Sequence, residues 1–239
     1  MPAEILVINP NTTQAVSLAV AARAQQALGA RAQVHAVTAA FGAAYIASEA
    51  SYAVGAHAVL HAYARHTQVH GAPHAVLVAC FGDPGVLALR SLTTAPVMGL
   101  AEAALRAAQA AFERYAIVTG GPAWVPMLAR FARMHGLDAQ LAHIEALNAS
   151  GAALAADPAR AVDLLVQACD QAGTLAAGVI LGGAGLAPLA ASVRARTTTP
   201  LIDSVAEGVK WLMDVVPATG TETPLRPQVD LSEWRGFSP

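Results

Sequence analysis

The chain has 239 residues, a formal net charge of −2 and two cysteines, with 55% hydrophobic and 13% charged residues. This balance excludes a nucleic-acid-binding protein that depends on a basic face. The single lysine, Lys210, excludes a phosphate-binding GK[ST] loop. No apolar run reaches the ~18 residues of a membrane span, and two cysteines are too few for a disulfide scaffold. With no basic leader before the first strand, we expect a cytoplasmic protein with reduced thiols.

The first half of the chain alternates short apolar strands with Ala-rich helices. Three strands are predicted, over residues 4–8, 33–38 and 75–80. Helices are predicted up to about Leu28 and over about 46–68. This alternation predicts an α/β fold with a largely parallel sheet.

The second half of the chain repeats this plan. Strands are predicted over residues 115–119, 139–145 and 178–182. Asp157-Pro158 predicts an N-cap and a first-turn proline for a helix that runs to about Gln171. The segments 75–105 and 178–209 match in order: strand, small-residue loop, short helix, Thr-rich turn, proline, strand and helix.

This internal repeat predicts two pseudo-symmetric α/β lobes, each with a mostly parallel sheet flanked by helices. We expect residues 1–98 plus 205–216 to form the first lobe, 99–204 the second, and 217–239 a polar C-terminal extension. Ligands of open parallel sheets lie beyond the carboxyl ends of the strands, so we expect the active site in the cleft between the lobes. The loops expected there are 9–13, 80–85, 119–122 and 182–186.

Cys80 is the candidate for chemistry, because it ends a buried strand and precedes Asp83-Pro84. This dipeptide is typical of an N-cap and a first-turn proline, so we expect a helix N-terminus to lower the pKa of the Cys80 thiol. A thiolate can act as a nucleophile or as a base toward a carbon acid. The alternative is a buried cysteine that packs as a small hydrophobic residue. Packing is the expected role of Cys169, which lies inside a predicted helix.

Three further patterns have weaker chemical content. The loop Asn11–Thr13 is expected both to cap the following helix and to hold ligand oxygens. Several of the eight histidines are four residues apart, but no HExxH motif or acidic ligand accompanies them, which favours a solvated helix face over a metal site. The stretch 183–188 with Asp203 resembles a dinucleotide loop only weakly, so neither a metal nor a cofactor is expected.

Four segments together resemble the aspartate/glutamate/hydantoin racemase superfamily, most closely its hydantoin and allantoin racemases. They are ILVINPNTT at 5–13, ACFGDPG at 79–85, LGGAGL at 181–186 and PLID at 200–203, and the resemblance covers residues 4–215. It implies two pseudo-symmetric lobes and cofactor-independent catalysis. One cysteine on each lobe would face the substrate carbon, one thiolate removing a proton and the other thiol returning one.

This chain departs from the family pattern at Gly183, which stands where the resemblance implies the second cysteine. Gly183 is also the partner of Cys80 in the internal repeat, and Cys169 lies upstream on the preceding helix. Three explanations remain open: water or another group carries the second proton, a single thiol works on one face only, or Gly183 is an engineered change or belongs to a protein that binds without catalysis.

The resemblance therefore implies a racemase or isomerase that moves a proton at a carbon next to a carbonyl, one-base or impaired, with Cys80 as catalytic residue. A single-cysteine decarboxylase, similar to arylmalonate decarboxylases, and a non-catalytic ligand-binding relative are the alternatives. The partners expected are a hydantoin, allantoin or related substrate and copies of the same chain, with no nucleic acid and no membrane. Residues expected to bind substrate are Asn11, Thr12, Ile46, Phe81, Gly82, Thr119, Gly120, Gly183 and Ala184.

Overall fold

The computed structural model describes residues 2–149 and 151–216, and it divides into two compact units. The first comprises the chain up to Ile46, Ala50–Gly99 and the described residues from Val209 on. The second comprises Ala47–Glu49 and Leu100–Gly208. The C-terminal extension predicted over 217–239 lies outside the described residues.

The first unit is built on a parallel sheet of four strands in the order β2-β1-β3-β4. The strands are β1 (Ala3–Asn9), β2 (Ala32–Thr38), β3 (Ala75–Val78) and β4 (Val97–Gly99). The helices that connect them are α1 (Gln14–Leu28), α2 (Glu49–His70) and α3 (Val86–Leu92). Apolar side chains of β1 and β3 pack on α2, with Leu6, Val76 and Tyr63 all buried in one cluster. Burial on both faces explains why these strands are continuous apolar runs.

The second unit repeats the topology, with a parallel sheet in the order β6-β5-β7-β8. Its strands are β5 (Tyr115–Gly120), β6 (Leu141–Leu147), β7 (Gly178–Leu181) and β8 (Leu201–Asp203). The helices are α4 (Leu100–Ala111), α5 (Trp124–Met134), α6 (Gly151–Ala156), α7 (Pro158–Gly173) and α8 (Ala190–Arg194). The last helix, α9 (Ser204–Val215), begins in this unit, and its residues from Val209 on belong to the first. The core between α7 and the sheet includes Leu165, Val179 and the fully buried Cys169, which confirms that Cys169 is a packing residue.

The predicted α/β fold with two parallel sheets is confirmed, and the differences are at element ends. The helix predicted from about 46 begins at Glu49, and the strand predicted over 75–80 ends at Val78. The predicted start of α7 is correct, because the Asp157 carboxylate accepts a hydrogen bond of 3.1 Å from the Arg160 amide. None of the described helices combines the length and apolar character that crossing a membrane requires.

The strand registers define which positions of the two units correspond. Val78 pairs with Gly99 in the first unit, and Leu181 pairs with Asp203 in the second. Cys80 and Gly183 follow these strand residues at the same spacing. The topology thus makes Gly183 the counterpart of Cys80, as the internal repeat predicts.

Candidate functional site

The loop after β1 is organised by Asn9, a residue that the sequence analysis did not single out. Its Nδ2 atom donates to Asn11 Oδ1 at 2.9 Å, to the Thr13 carbonyl at 3.1 Å and to Ser17 Oγ at 3.1 Å. Asn9 Oδ1 accepts from the Asn11 amide at 3.2 Å. Because Asn9 is fully buried, these bonds satisfy its carboxamide and fix the loop. Its place at the end of the first strand was the only signal that could have identified it.

Asn11 and Thr13 have different roles in this loop from the capping that we expected. Asn11 Oδ1 accepts from the Thr13 amide at 2.9 Å, which forms an Asx turn. Thr13 is the N-cap residue of α1, but its side chain makes no cap bond and donates instead to the Ala44 carbonyl at 2.7 Å. The prediction that the Thr13 side chain caps α1 is therefore wrong, because its hydroxyl donates to a carbonyl of the β2–α2 loop instead.

The side-chain nitrogen of Asn11 is the group of this loop that is available to a ligand. Within the described residues, no atom accepts a hydrogen bond from Asn11 Nδ2. The Thr12 amide donates to the Ala43 carbonyl at 3.1 Å, while its side chain is half-buried. Ile46, also expected at the site, is buried against α2, since a Cβ added to Gly55 would lie 2.7 Å from Ile46 Cδ1.

Cys80 lies in a tight turn after β3, and its residue is 8% exposed. Its amide donates to the Val78 carbonyl at 3.0 Å and its carbonyl accepts from the Asp83 amide at 3.2 Å. Asp83 has a φ of 57°, in the left-handed region, and α3 begins only at Val86 with Gly85 as N-cap. The prediction that Asp83-Pro84 caps and opens this helix is wrong, because the turn comes between them and the helix.

The electrostatic environment of Cys80 is also the reverse of the one expected. Burial raises the pKa of the Cys80 thiol well above its ordinary value, and the charge of Asp83 raises it further. Cys80 is therefore a protonated thiol at neutral pH.

The rest of the Cys80 loop is held from two sides of the same unit. Gly82 has a φ of 125°, and its carbonyl accepts a hydrogen bond of 2.9 Å from the Tyr52 hydroxyl on α2. Phe81 is 3% exposed. The carboxyl group of the buried Asp83 lies against Gly99, so close that a Cβ at that glycine would overlap it.

In the second unit, the end of β5 is tied to the end of β7. Thr119 is buried and its hydroxyl donates to the Gly182 carbonyl at 2.8 Å, while the Gly182 amide donates to the Val118 carbonyl at 2.9 Å. The Thr119 hydroxyl group therefore already donates its proton to a hydrogen bond within the protein. Gly120, the last residue of β5, leaves the loop without a side chain at this point.

The Gly183 loop has room for a side chain but a backbone that disfavours one. Gly183 has a φ of 141°, and a Cβ there would lie 3.4 Å from Leu186 Cγ, an ordinary contact. Its amide donates to Ser204 Oγ at 3.3 Å. Ala184, 7% exposed, opens a 3-10 turn over Ala184–Leu189. Glycine at 183 thus leaves the counterpart of Cys80 without a proton-carrying group.

Asp203 has a structural role here. Its Oδ1 accepts from the amides of Val205 at 2.9 Å and Ala206 at 3.3 Å at the start of α9. This capping explains the residue without a nucleotide. Among the described residues, no three His, Cys, Asp or Glu side chains lie together in a position to hold a metal ion.

Comparison with known proteins gives the family. Residues 5–212 match the Asp/Glu/Hydantoin racemase family model. A hydantoin racemase from Paenarthrobacter aurescens is 32% identical over 221 residues, which are 92% of this chain and 93% of the relative. An allantoin racemase from Klebsiella pneumoniae superposes with a TM-score of 0.82 at 29% identity, covering 90% of this chain and 87% of that one.

A double mutant of arylmalonate decarboxylase in its liganded form shares the fold alone, with a TM-score of 0.69 at 22% identity over 95% of this chain and 98% of that one. The two parallel sheets are consistent with the family that these matches give. The chain belongs to the Asp/Glu/hydantoin racemase family.

Proposed function

We propose that this protein is a cofactor-independent racemase or isomerase that moves a proton at a carbon next to a carbonyl, with Cys80 as the proton carrier. The observation that supports this most directly is the buried Cys80 thiol at the strand-end loop of the first unit. The proposed substrates are hydantoins, allantoin or related carbonyl compounds, the class named for the relatives. We further propose a homo-oligomer in the cytoplasm.

The raised pKa of Cys80 determines how it would act. A thiol that holds its proton at neutral pH is a general acid in the resting protein. Once deprotonated, the same sulfur is a stronger base than an ordinary thiolate, which suits a weakly acidic carbon. Before the base step the thiol loses its proton to water, which gives a thiolate and a hydronium ion. The substrate C–H bond then breaks, the proton moves to Sγ, and the electron pair moves onto the carbonyl oxygen to give an enolate. For racemisation the hydronium ion returns a proton to the carbon from the opposite face, because Gly183 has no group that can do so.

The enolate oxygen needs hydrogen-bond donors, and Asn11 Nδ2 is available for that purpose. Asn9 holds the Asn11 carboxamide through Oδ1, so the donor is oriented before a ligand arrives. We propose that Asn11 holds a substrate carbonyl, with Thr12, Ile46, Phe81 and Gly82 beside it. Thr119, Gly120, Gly183 and Ala184 would contribute from the second unit.

A second candidate function is a lyase that replaces a carboxylate with a proton. It is favoured by one observation: Gly183, the counterpart of Cys80, has no group that can carry a proton. A single thiol can protonate an enolate after loss of carbon dioxide. In this reaction the C–C bond to the carboxylate breaks, its electron pair forms the enolate, and Cys80 donates the proton to carbon.

The test is to incubate the protein with one enantiomer of a 5-substituted hydantoin in deuterated water, with a protein-free control for spontaneous exchange. Loss of the C5 proton by NMR together with loss of optical rotation indicates racemisation. Exchange with retained rotation indicates one-base chemistry. Turnover of an aryl malonate without hydantoin exchange indicates the lyase.

The assignment of Cys80 has its own control. Cys80→Ala should abolish exchange, whereas Cys169→Ala should leave it unchanged, since Cys169 lies in the core. Full turnover by Cys80→Ala contradicts the proposed mechanism.

A further inference from the structure

We propose that the first unit carries a second binding site, specific for small organic monocarboxylates, in a cavity between α2 and the end of β2. The cavity has a volume of about 240 Å³. Val37 and Thr38 line it from the strand, and His61, Arg65, His66 and His70 line it from the helix. Neither Cys80 nor its loop lines this cavity, so the site goes beyond the proposed reaction.

The size of the cavity restricts the ligand. Pockets for drug-sized molecules measure roughly 300–1,000 Å³, and this one is smaller. The apolar part of its wall includes Val37 and Val69, and Val69 is 76% exposed. A small molecule with an apolar body is the occupant that this wall fits.

The charge of the lining indicates an anionic head group. Among the described residues, no carboxylate lines the cavity. Arg65 lines it and is exposed, and no described carboxylate pairs with its guanidinium group. A guanidinium offers several N–H donors that match the two oxygens of a carboxylate. One permanent positive charge favours a monoanion over a more highly charged ligand.

His66 supplies an independent observation. It is 5% exposed and lines the cavity, and its Nε2 is the one buried side-chain nitrogen or oxygen without a hydrogen-bond partner in the described part of the chain. A buried polar atom without a partner destabilises the folded protein unless a ligand satisfies it. The solvated histidine face expected from the sequence is therefore wrong for His66, which packs against the rings of His35 and His70 at centroid distances of 5.2 and 4.8 Å.

The groups around His66 link ligand binding to protonation. Burial lowers the pKa of His66 to about 4, the charges of His35 and His70 lower it further, and Glu4 acts in the opposite direction. The imidazole is thus neutral near pH 7. A carboxylate bound in the cavity would favour the protonated ring and raise its pKa, which gives a local signal of occupancy.

The experiment is calorimetric titration of the intact protein with benzoate, with neutral benzamide as a ligand of the same shape. We expect saturable benzoate binding that is at least tenfold weaker for benzamide and for Arg65→Gln. The exposed Arg133→Gln on α5 is the matched control and should bind as the parent does. Histidine NMR titration should show an upward shift of the His66 pKa with benzoate.

Two results would overturn the proposal: absence of saturable benzoate binding, or equal binding by Arg65→Gln and the parent. Benzoate that binds elsewhere gives the second result. Cys80→Ala should keep the site, so failure of the proposed reaction and failure of this proposal are distinguishable.

Discussion

The carboxyl group of Asp83 occupies the volume that a side chain at Gly99 would require. The strand registers make Gly99 the counterpart of Asp203, whose own carboxylate caps α9. In each unit a buried carboxylate therefore lies at the last residue of the fourth strand of the sheet, Gly99 of β4 in the first unit and Asp203 of β8 in the second. In the first unit it comes from the loop after β3, and in the second from the end of β8.

Gly99→Ala should destabilise the protein by about 1–3 kcal/mol, because the new methyl group displaces a buried carboxylate in a packed region. Urea unfolding followed by circular dichroism measures this change. The double variant Gly99→Asp/Asp83→Gly reproduces the arrangement of the second unit and should be more stable than Gly99→Asp alone. If the two changes add without coupling, the two side chains do not share this space.

Asp83→Asn should shift the alkylation of Cys80 to lower pH, because it removes the negative charge that adds to burial in raising the thiol pKa. The rate with iodoacetamide against pH, in a Cys169→Ala background, measures the shift. The raised pKa also has a thermodynamic consequence: the folded state holds the proton longer, so stability is present below the unfolded thiol pKa and falls as pH rises above it. An unchanged alkylation profile in Asp83→Asn contradicts the assigned role of Asp83.

The sequence could predict what depends on local pattern. Strand and helix alternation and the internal repeat predict both sheets, and Asp157-Pro158 correctly predicts the start of α7. The same dipeptide at Asp83 fails, because that aspartate takes a left-handed conformation and packs its carboxyl group against Gly99. That packing is a contact between distant parts of the chain, which no local pattern contains.

The candidate site shows the same division. Cys80 and Asn11 are candidates because they follow buried apolar strands, and these strands can be recognised in the sequence. The direction of the Cys80 pKa shift depends on burial and on where the Asp83 charge lies, so the expectation from a helix N-terminus was wrong. Similarly, the ring contacts that bury His66 join β2 to α2, and helical spacing alone does not reveal them.

His66 should make the protein lose stability as the pH falls. Its pKa is about 4 in the folded state against 6.5 ordinarily, so the unfolded state binds more protons between these values. Stability associated with His66 is full above about pH 6.5 and lost as pH falls toward 4, by up to about 3 kcal/mol. His66→Gln should therefore show a flatter stability profile over this window in urea unfolding, and a profile as steep as that of the parent contradicts this role of His66.

Gly183→Cys should increase proton exchange with inversion if the proposed racemase lacks only its second proton carrier. A general acid or base contributes about 100-fold or more, so a gain of this order is expected in the rate of loss of optical rotation. A Cβ at 183 meets only Leu186 at an ordinary distance, but the φ of 141° is unfavourable for a side chain, so the variant should be less stable by about 1–3 kcal/mol. Gly183→Ser is the matched control, because it has the same backbone cost without a thiol. If the serine and cysteine variants racemise a hydantoin at the same rate, the missing thiol does not limit the reaction, and the one-base or lyase interpretation becomes the better account of Cys80.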